Sequence, residues 1–281
     1  MFRRPGRIRP LRMGGGELAL AFALRDPVAN ALAGARLTDI ARMSAISNEF
    51  SVAGDETRPA GLLWHGVNLS PISATGEALV EFGRFAAPRA RRASSVVGIR
   101  GDIEIMWREL APLWGRDVRE YRWSQPLLVA AEQLPDLTVT GLRRARIGED
   151  DIVYPAAVAM FREEVGIDPT RGDGGRSYRA RVRELIRLGR TYVVVQDGAV
   201  VFKADVGARF GPVSQIHGVW VDPERRGRGL GRSAMVELAR QVRRDHSPTV
   251  SLYVNEFNEP ARRAYAAAGF HQVGELATIL F

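Results

Sequence analysis

Residues 213–255 carry the pattern that most constrains the fold, because a strand, a glycine-rich loop, an amphipathic helix and a second strand follow one another there. The two β-rich runs are residues 213–221 and 249–255, and the helix extends to about Arg244. Its apolar residues recur at i, i+3, i+4 and i+7: Met235, Leu238, Ala239 and Val242. Strands joined through a helix pair in parallel, since a tight turn joins only antiparallel strands. The segment therefore predicts a parallel βαβ unit in an α/β chain.

The loop of this unit, DPERRGRGLGRSAM at residues 222–235, is a candidate anion site. A helix N-terminus leaves four N–H groups unpaired and carries about half a positive charge. Gly227, Gly229 and Gly231 let the backbone adopt positive φ and approach a ligand closely. The loop lacks the Gly-Lys-Ser/Thr of a nucleoside-triphosphate P-loop and the Gly-x-Gly-x-x-Gly of dinucleotide folds. Taken alone, it is either a pyrophosphate cradle or a solvated basic turn.

The arginines of this loop carry little weight, because the chain uses arginine almost everywhere. Of its 40 basic residues, 39 are arginine and Lys203 is the single lysine. Basic and acidic residues number 18 and 15 before residue 138, and 22 and 17 from there on. Neither half has the concentrated charge of a dedicated nucleic-acid binder, so no nucleic-acid partner is expected. The absence of cysteine excludes disulfides, cysteine-ligated zinc and a cysteine nucleophile.

The length of 281 residues suits two domains. Residues 1–16 combine Arg, Pro and Gly without periodicity, which predicts a flexible tail. The stretch QLPDL at residues 133–137 is a plausible hinge, so we expect an N-terminal α/β domain at 17–137 and a second domain at 138–281. The apolar run Leu18–Leu24 is too short for a signal peptide or a membrane helix, so we expect a soluble, cytoplasmic protein without a membrane partner.

Other segments alternate between helix and strand. In the first domain we expect a helix at 26–37, a strand at 61–72, a helix at 75–88, and a strand followed by a helix at 93–110. In the second we expect a strand from residue 138, a helical region at 149–167 broken near Pro155, helices at 178–189 and 259–268, and a last strand at about 272–280. Between the β-rich runs of residues 191–207, Asp197-Gly198 is typical of a type I′ hairpin turn. No internal repeat is evident by eye.

A second constellation lies in VNEFNEPARRAYAAAGF at residues 254–270. Asn258 is a natural N-cap, and Pro260 stands in the first turn. The helical face that follows is rich in alanine, so Tyr265 can stand beside a ligand rather than in a deep core. Without further context, Asn258 is equally well a simple cap and Tyr265 a core aromatic.

Together the two stretches resemble the GNAT acyltransferase superfamily, whose members use acetyl-CoA. The pyrophosphate motif of that family, Arg/Gln-x-x-Gly-x-Gly/Ala, is matched by Arg226-Gly-Arg-Gly-Leu-Gly231, and the Val-x-Pro before it by Val221-Asp-Pro. The later Asn-x-x-Ala-x-x-x-Tyr of the family is matched from Asn258 to Tyr265, and Gly-Phe follows. The resemblance covers about residues 138–281, including the hairpin.

The resemblance implies a role for each matched residue. Backbone amides of the loop would bind the CoA pyrophosphate, and the backbone of Val219 and Val221 would pair with the pantetheine arm. The implied CoA-binding residues are Val219, Trp220, Val221, Arg226, Gly227, Arg228, Gly229, Leu230, Gly231, Arg232 and Asn258. Tyr265 would protonate the departing thiolate. Neither a metal nor a covalent enzyme intermediate is expected.

The acceptor amine must lose a proton to attack, so a base or a water relay is needed. Many relatives place a Glu on the strand before the loop, whereas this chain offers Gln215 and His217. His217 has a suitable intrinsic pKa and Gln215 can orient a water, although a structural histidine is an open alternative. Glu163, Glu164 and Asp168 are candidates for attracting a cationic amine, with a solvated helix end as the alternative. Seven arginines between Arg171 and Arg190 instead favour an acidic or phosphorylated partner, or simply line a solvated helix.

The N-terminal domain resembles a domain of unknown function that precedes GNAT domains in actinobacterial proteins, and a degenerate second GNAT fold is one alternative for it. It lacks the pyrophosphate motif, so we expect no CoA there, and its only histidine, His65, is interpreted as structural. The predicted fold class is α/β (α+β), with a mixed, mostly antiparallel sheet flanked by helices in the GNAT domain. The predicted function is acetyl-CoA-dependent N-acetylation of an amine, carried by a small molecule or a protein. A non-catalytic acyl-CoA sensor and a nucleic-acid binder are the alternatives, and the oligomeric state is left open.

Overall fold

The computed structural model describes residues 8–137 and 140–281. Its helices are α1 (Gly16–Ala23), α2 (Ala31–Ile40), α3 (Gly76–Ala86), α4 (Arg100–Trp114), α5 (Asp150–Val165), α6 (Arg176–Arg187), α7 (Leu230–Asp245) and α8 (Glu259–Ala267). Its strands are β1 (Arg9–Pro10), β2 (Phe50–Asp55), β3 (Arg58–His65), β4 (Asn68–Ile72), β5 (Ser95–Ile99), β6 (Glu120–Ala130), β7 (Arg143–Arg144), β8 (Thr191–Gln196), β9 (Ala199–Phe210), β10 (Val213–Val221), β11 (Thr249–Tyr253) and β12 (Phe270–Leu280). No helix of these two ranges is long and apolar enough to cross a membrane.

All twelve strands form one continuous sheet in the order β1-β2-β3-β4-β5-β12-β6-β11-β10-β9-β8-β7. Nine of the eleven neighbouring pairs are antiparallel, and the two parallel pairs are β4 with β5 and β10 with β11. Each parallel pair is joined by a helix, α3 or α7, as parallel pairing requires. The sheet is therefore mixed and mostly antiparallel, as predicted for the GNAT half.

The two halves of the chain repeat one order of elements. Strand, two helices, three strands, helix, strand, helix and strand run from β1 to β6, and the same order runs from β7 to β12. Their last strands are exchanged at the centre of the sheet: β12 lies between β5 and β6, and β6 lies between β12 and β11. The structure thus reveals the repeat that cannot be seen in the sequence, and the first half has the architecture of a second, degenerate GNAT fold.

The predicted βαβ unit and hairpin of the second half are confirmed. β10 and β11 pair in parallel across α7, whose predicted apolar stripe is buried in the main core of that half. The hairpin between β8 and β9 turns at Asp197 (φ 51°) and Gly198 (φ 78°), and positive φ at both positions is the requirement of a type I′ turn. Local chemistry is sufficient to specify both elements.

Pro155 does not break α5, contrary to the expected break. The helix runs through it, because proline leaves only one carbonyl without its usual helical donor. That carbonyl belongs to Asp151, which is exposed, as Pro155 is, so water can satisfy it.

The expected single strand at 61–72 is two antiparallel strands, β3 and β4, in which Leu62 pairs with Ile72. The chain reverses at Gly66 and Val67, which the apolar sequence on both sides conceals.

Part of the expected flexible tail is folded. Arg9 pairs with Val52 in the sheet, and Leu11 is buried among the residues of α1, α2 and β2. The apolar side chain of Leu11 supplies the burial that the Arg, Pro and Gly composition conceals. Residues 1–7 lie outside the described residues, as do residues 138 and 139 at the start of the expected strand, of which the short β7 is described.

Candidate functional site

A cleft opens where the parallel pairing of β10 and β11 ends. The two strands are paired from Val213 and Thr249 to Ile216 and Leu252, whereas β10 stays paired with β9 as far as Val221. The β11-facing edge of β10 therefore has no strand partner from residue 217 onwards in the described chain. Residues of α5, α6 and α8 close this opening into a cavity of about 590 Å³. That volume suits a small-molecule ligand.

A β-bulge in β10 lies at the inner wall of this cavity. His217 pairs with Asp205 and Trp220 with Lys203, so three residue steps on β10 oppose two on β9. Gly218, inside the bulge, has a φ of 57° that favours glycine. Bulges re-aim backbone groups and side chains beside functional sites.

A buried ion pair supports the bulge from below. Lys203, the only lysine of the chain, is 1% exposed and pairs with Asp205, which is 7% exposed. The ammonium group also donates to the carbonyl of Gly218 at 3.5 Å, and the hydroxyl of Thr191 donates to Asp205 at 2.7 Å. Breaking one partner of such a pair leaves a buried charge without compensation, which costs about 3–5 kcal/mol. The pair therefore fixes the shape of the cavity wall.

His217 and Gln215 lie together on β10, as their spacing predicts. The Nε2 atom of His217 is 2.9 Å from Oε1 of Gln215, and the ring packs edge-on to Tyr253. Gly207 makes room for the imidazole, because a Cβ there would lie 2.2 Å from Nδ1. Burial lowers the pKa of His217 to about 4. The imidazole is thus neutral at pH 7 and a weak base.

The glycine-rich loop has the backbone geometry of an anion cradle. Gly227 and Gly229 have φ of 74° and 82°, and Gly229 is the N-cap of α7 without any side-chain cap. The hydrogen bond that the carbonyl of Gly229 accepts comes from the backbone amide of Ser233, in the first turn of α7. A Cβ on Gly227 would meet no atom within 4 Å, whereas one on Gly231 would lie 3.3 Å from Val221. The first two glycines therefore serve backbone conformation and ligand approach, and Gly231 serves helix–strand packing.

The arginines of the loop differ in what they contact. Arg226 donates through Nε to the carbonyl of Val221 at 3.0 Å and pairs with Glu163 at 2.7 Å. Glu163 also accepts from the indole of Trp220 at 3.2 Å. Arg228 and Arg232 are exposed and make no ion pair with the described residues. Both lie free to meet an anion at the start of α7.

Tyr265 and Asn258 both line the cavity from α8. Tyr265 is 7% exposed, packs on Phe270, and makes no hydrogen bond through its hydroxyl to the described residues. Burial raises the pKa of Tyr265, so its phenol keeps the proton at neutral pH. Asn258 caps α8 by accepting from the amide of Ala261 at 3.2 Å, which leaves its side-chain NH₂ free.

Glu164 has a free carboxylate in the lining of the cavity. It lies at the end of α5, and its side chain makes no hydrogen bond or ion pair with the described residues. Glu164 is exposed as a residue, yet the groups around its carboxylate desolvate it, and this desolvation raises its pKa against the attraction of Arg122 and Lys203. Glu163, by contrast, is occupied by Arg226. The two neighbouring glutamates thus differ in availability.

The first half of the chain contributes to this cavity through β6, which the sequence does not indicate. Arg122 pairs with Glu120 at 2.7 Å and donates to the carbonyl of Glu164 at 2.6 Å, so it holds the end of α5. Arg119 donates to the next carbonyl, that of Val165, at 2.7 Å. These contacts depend on the strand exchange, for which no local signal exists. Lys203 did carry a signal, as the one lysine among 40 basic residues.

Two family models match the chain. Residues 49–153 match a domain of unknown function, DUF4081, and residues 162–270 match the acetyltransferase (GNAT) family. The second match contains the glycine-rich loop, Asn258 and Tyr265.

The curated relatives are named mycothiol acetyltransferase. The protein of Thermobispora bispora is 42% identical over 60 residues, which are 21% of this chain and 20% of the relative. That of Corynebacterium kroppenstedtii is 26% identical over 222 residues, which are 71% of this chain and 61% of the relative. The matches thus span between a fifth and about three fifths of the length of these relatives.

Solved structures share the fold over nearly the whole chain. A GNAT-family acetyltransferase from Colwellia psychrerythraea has a TM-score of 0.62 at 10% identity, covering 98% of this chain and 99% of its own. A tandem GNAT protein from the clavulanic acid biosynthesis pathway has a TM-score of 0.54 at 16% identity, covering 97% of each chain. These likenesses and the family matches agree with the repeated element order and the loop geometry. Residues 162–270 therefore form a domain of the acetyltransferase (GNAT) family, with a DUF4081 domain ahead of it at residues 49–153.

Proposed function

We propose that this protein is an acetyl-CoA-dependent N-acetyltransferase whose active site is the cleft between β10 and β11. The observation that carries the proposal is the uncapped N-terminus of α7, reached through two glycines at positive φ directly after β10, whose Val219 and Trp220 line the same cleft as Tyr265. An anion-binding helix end and a proton donor in one cleft fit a donor that carries both a pyrophosphate and a thiol leaving group.

The donor would be held mainly by backbone. Amides from Arg226 to Gly231 would receive the pyrophosphate, and the free edge of β10 at Val219 and Val221 would pair with the pantetheine amides as an added strand. The exposed Arg228 and Arg232 would neutralise phosphate charge, and the free NH₂ of Asn258 would reach the arm. When bound, acetyl-CoA supplies the reactive thioester.

The remaining steps belong to side chains of the cavity. The acceptor nitrogen forms a bond to the thioester carbon as the carbon–sulfur bond breaks. Backbone amides of the bulge at Gly218 polarise the carbonyl, Tyr265 gives its proton to the departing thiolate, and solvent restores that proton. The ammonium loses one proton to a base before attack, and the nitrogen loses a second proton to solvent as the adduct collapses to the amide. The thiolate takes up one proton, so the reaction releases one proton overall.

Glu164 is better suited than His217 to take that proton. The pKa of His217 is lowered to about 4, which gives an imidazole little affinity for a proton from an amine. The pKa of Glu164 is raised above its ordinary value, and its carboxylate has no protein partner among the described residues. A raised pKa makes a carboxylate a stronger base, which favours it as the proton acceptor. Gln215 would then orient the neutral His217 through their 2.9 Å contact.

The first half would not bind CoA. Only residues 73–75 separate β4 from α3, against residues 222–229 between β10 and α7. The side chain of Thr75 already caps α3 by accepting from the amide of Ala78 at 3.3 Å. A short, capped connection offers no cradle for a pyrophosphate, so one CoA per chain is expected.

Calorimetric titration with acetyl-CoA, followed by an assay of thiol release with a broad panel of amines and peptides, tests the proposed function. Binding of one acetyl-CoA with amine-dependent thiol release is the expected result. Binding without turnover across the panel favours the acyl-CoA sensor instead, and no binding at all excludes both. The names of the curated relatives do not establish the acceptor, because the long match is only 26% identical and spans 61% of the relative, and the 42% identical match spans only 20%.

Tyr265→Phe is expected to lower kcat by about 10- to 100-fold while acetyl-CoA affinity stays within about threefold, because only proton transfer to the thiolate is lost. The ring remains packed on Phe270, so the fold is retained. Steady-state kinetics with calorimetry measure both quantities. Tyr192→Phe, which removes a hydroxyl remote from the cavity, serves as the matched control. Equal kcat for Tyr265→Phe and the parent protein would make Tyr265 a core aromatic only.

A further inference from the structure

Two charged side chains of the cavity lining have no ion-pair partner among the described residues, and their charges indicate the class of acceptor. The inference rests on the proposed function and extends it to the class of acceptor. Three acidic side chains of the lining are already paired with cations: Glu120 with Arg122, Glu163 with Arg226, and Asp205 with Lys203. Glu164 and Arg181 also line the cavity, and neither forms an ion pair with the described residues. One carboxylate and one guanidinium thus remain available to a ligand.

Arg181 is set apart from the other arginines of α6 by its direction. Arg179 and Arg183 pair with Asp150 of α5, and Arg187 pairs with Glu184 of α6 itself. The cavity is instead lined by a stripe of α6 at i, i+3, i+4 and i+7: Tyr178, Arg181, Val182 and Leu185. Arg181 is therefore a cation on an otherwise apolar and aromatic face. A guanidinium in that place is suited to a carboxylate or a phosphate.

Arg181 and Glu164 lie near the same groups. Burial is the main cause of the raised pKa of Tyr178. The charge of Glu164 raises this pKa further, and the charge of Arg181 lowers it. The hydroxyl of Tyr178 donates to the carbonyl of Ala157 at 3.0 Å, so this ring is fixed between α5 and α6. Arg181 also lowers the proton affinity of His217 on the inner wall. The unpaired guanidinium of Arg181 and the unpaired carboxylate of Glu164 thus belong to the lining of one cavity.

We propose that the acceptor is a small zwitterion whose amine is held by Glu164 and whose acidic group, a carboxylate or a phosphate, is held by Arg181. The pairing satisfies both free charges at once, whereas a simple polyamine would leave Arg181 facing a like charge. Glu164 then both orients the ammonium and receives its proton. The cavity of about 590 Å³ must also take the thioester end of the donor, which restricts the acceptor to a small molecule.

The test compares matched amines in the thiol-release assay. One arm pairs the L-amino acids with the amines formed by removing their carboxylate, and the other pairs phosphoethanolamine with ethanolamine. We expect the acid-bearing member of at least one pair to have a kcat/KM at least about 100-fold higher. The arm that responds identifies the acidic group. Equal rates within every pair would overturn the inference.

Arg181→Gln distinguishes a loss of recognition of the acidic group from a general loss of activity or folding. It should lower kcat/KM about 100-fold for the acid-bearing amine and less than about threefold for its partner, while Arg187→Gln, which replaces the arginine of α6 that pairs with Glu184, changes neither. An equal loss for both members of the pair would overturn the proposal.

If no amine is acetylated, calorimetry with the CoA-loaded protein decides. Tighter binding of acid-bearing amines that is lost in Arg181→Gln supports the inference and removes the proposed catalysis. No binding of any acid-bearing amine overturns the inference, and acetyl-CoA binding is measured separately.

Discussion

Gly229→Glu is expected to weaken acetyl-CoA binding at least about 100-fold, equivalent to about 2.8 kcal/mol. Gly229 is the N-cap of α7 at a φ of 82°, and its Cα faces open space, where a Cβ would have only the end of Arg232 within 4 Å. A glutamate there puts a side chain and a negative charge where the pyrophosphate would meet the free amides of the helix. Calorimetry with acetyl-CoA measures the loss.

A matched control separates loss of the cradle from backbone strain. Gly148→Glu introduces the same residue at a φ of 92° in another exposed turn with no atom nearby. A non-glycine residue at such a φ costs about 1–2 kcal/mol, so both variants should lose a similar amount of stability. Only Gly229→Glu should lose acetyl-CoA. Unchanged affinity in Gly229→Glu, or an equal loss in both variants, would remove the loop from the donor site.

The donor side of the site could be predicted because its determinants are local. The loop, the N-cap of α7 and the start of α8 lie within residues 222–265, and each depends on the conformational preferences of a few neighbouring residues. Asn258 illustrates the limit of that reasoning. Its side-chain oxygen caps α8, which was one of its two predicted roles, and its NH₂ group is left free for the other, a contact with the CoA arm. Local chemistry specifies the geometry there, and the ligand contact stays a prediction.

The acceptor side could not be predicted, because its determinants are tertiary. β6 reaches the cavity only by inserting between β12 and β11, where Ser251 pairs with Val129 across more than a hundred residues of chain. Pro126 inside β6 also conceals it, since proline disfavours a central strand. The strand exchange places Arg122 against the carbonyl of Glu164 at the end of α5, whereas Glu163 is paired with Arg226 of the loop.

The same exchange gives the first half a structural part in the site without any ligand of its own. Residues 120–130 lie in the first half of the chain, yet they pair with β11 and β12 of the second. The end of α5 is held at two carbonyls by Arg122 of this strand and by Arg119 directly before it. Separating the chain at the predicted hinge of residues 133–137 would therefore remove one wall of the cavity. The expected domain boundary at residue 138 stays a prediction, but the two halves share one sheet.

Glu164→Gln is expected to lower kcat/KM by about 100- to 10,000-fold, the range for loss of a general base. The carboxylate acts only when deprotonated, so kcat/KM of the parent protein should rise with pH through the raised pKa of Glu164. Below that pKa the group is protonated and cannot accept the proton of the amine. The variant should lack this ascending limb, because the amide does not titrate. Initial rates between pH 5 and pH 9, at fixed ionic strength, measure both effects.

His217→Gln is the informative comparison, because His217 is the competing base on β10. Its pKa of about 4 means that it is neutral over that whole range, so its removal should leave the ascending limb in place. Acetyl-CoA affinity should stay within about threefold in Glu164→Gln, since the carboxylate lies on the acceptor side and contacts no part of the loop. If the limb disappears in His217→Gln and persists in Glu164→Gln, then His217 is the base, and the free carboxylate of Glu164 serves only to attract the amine.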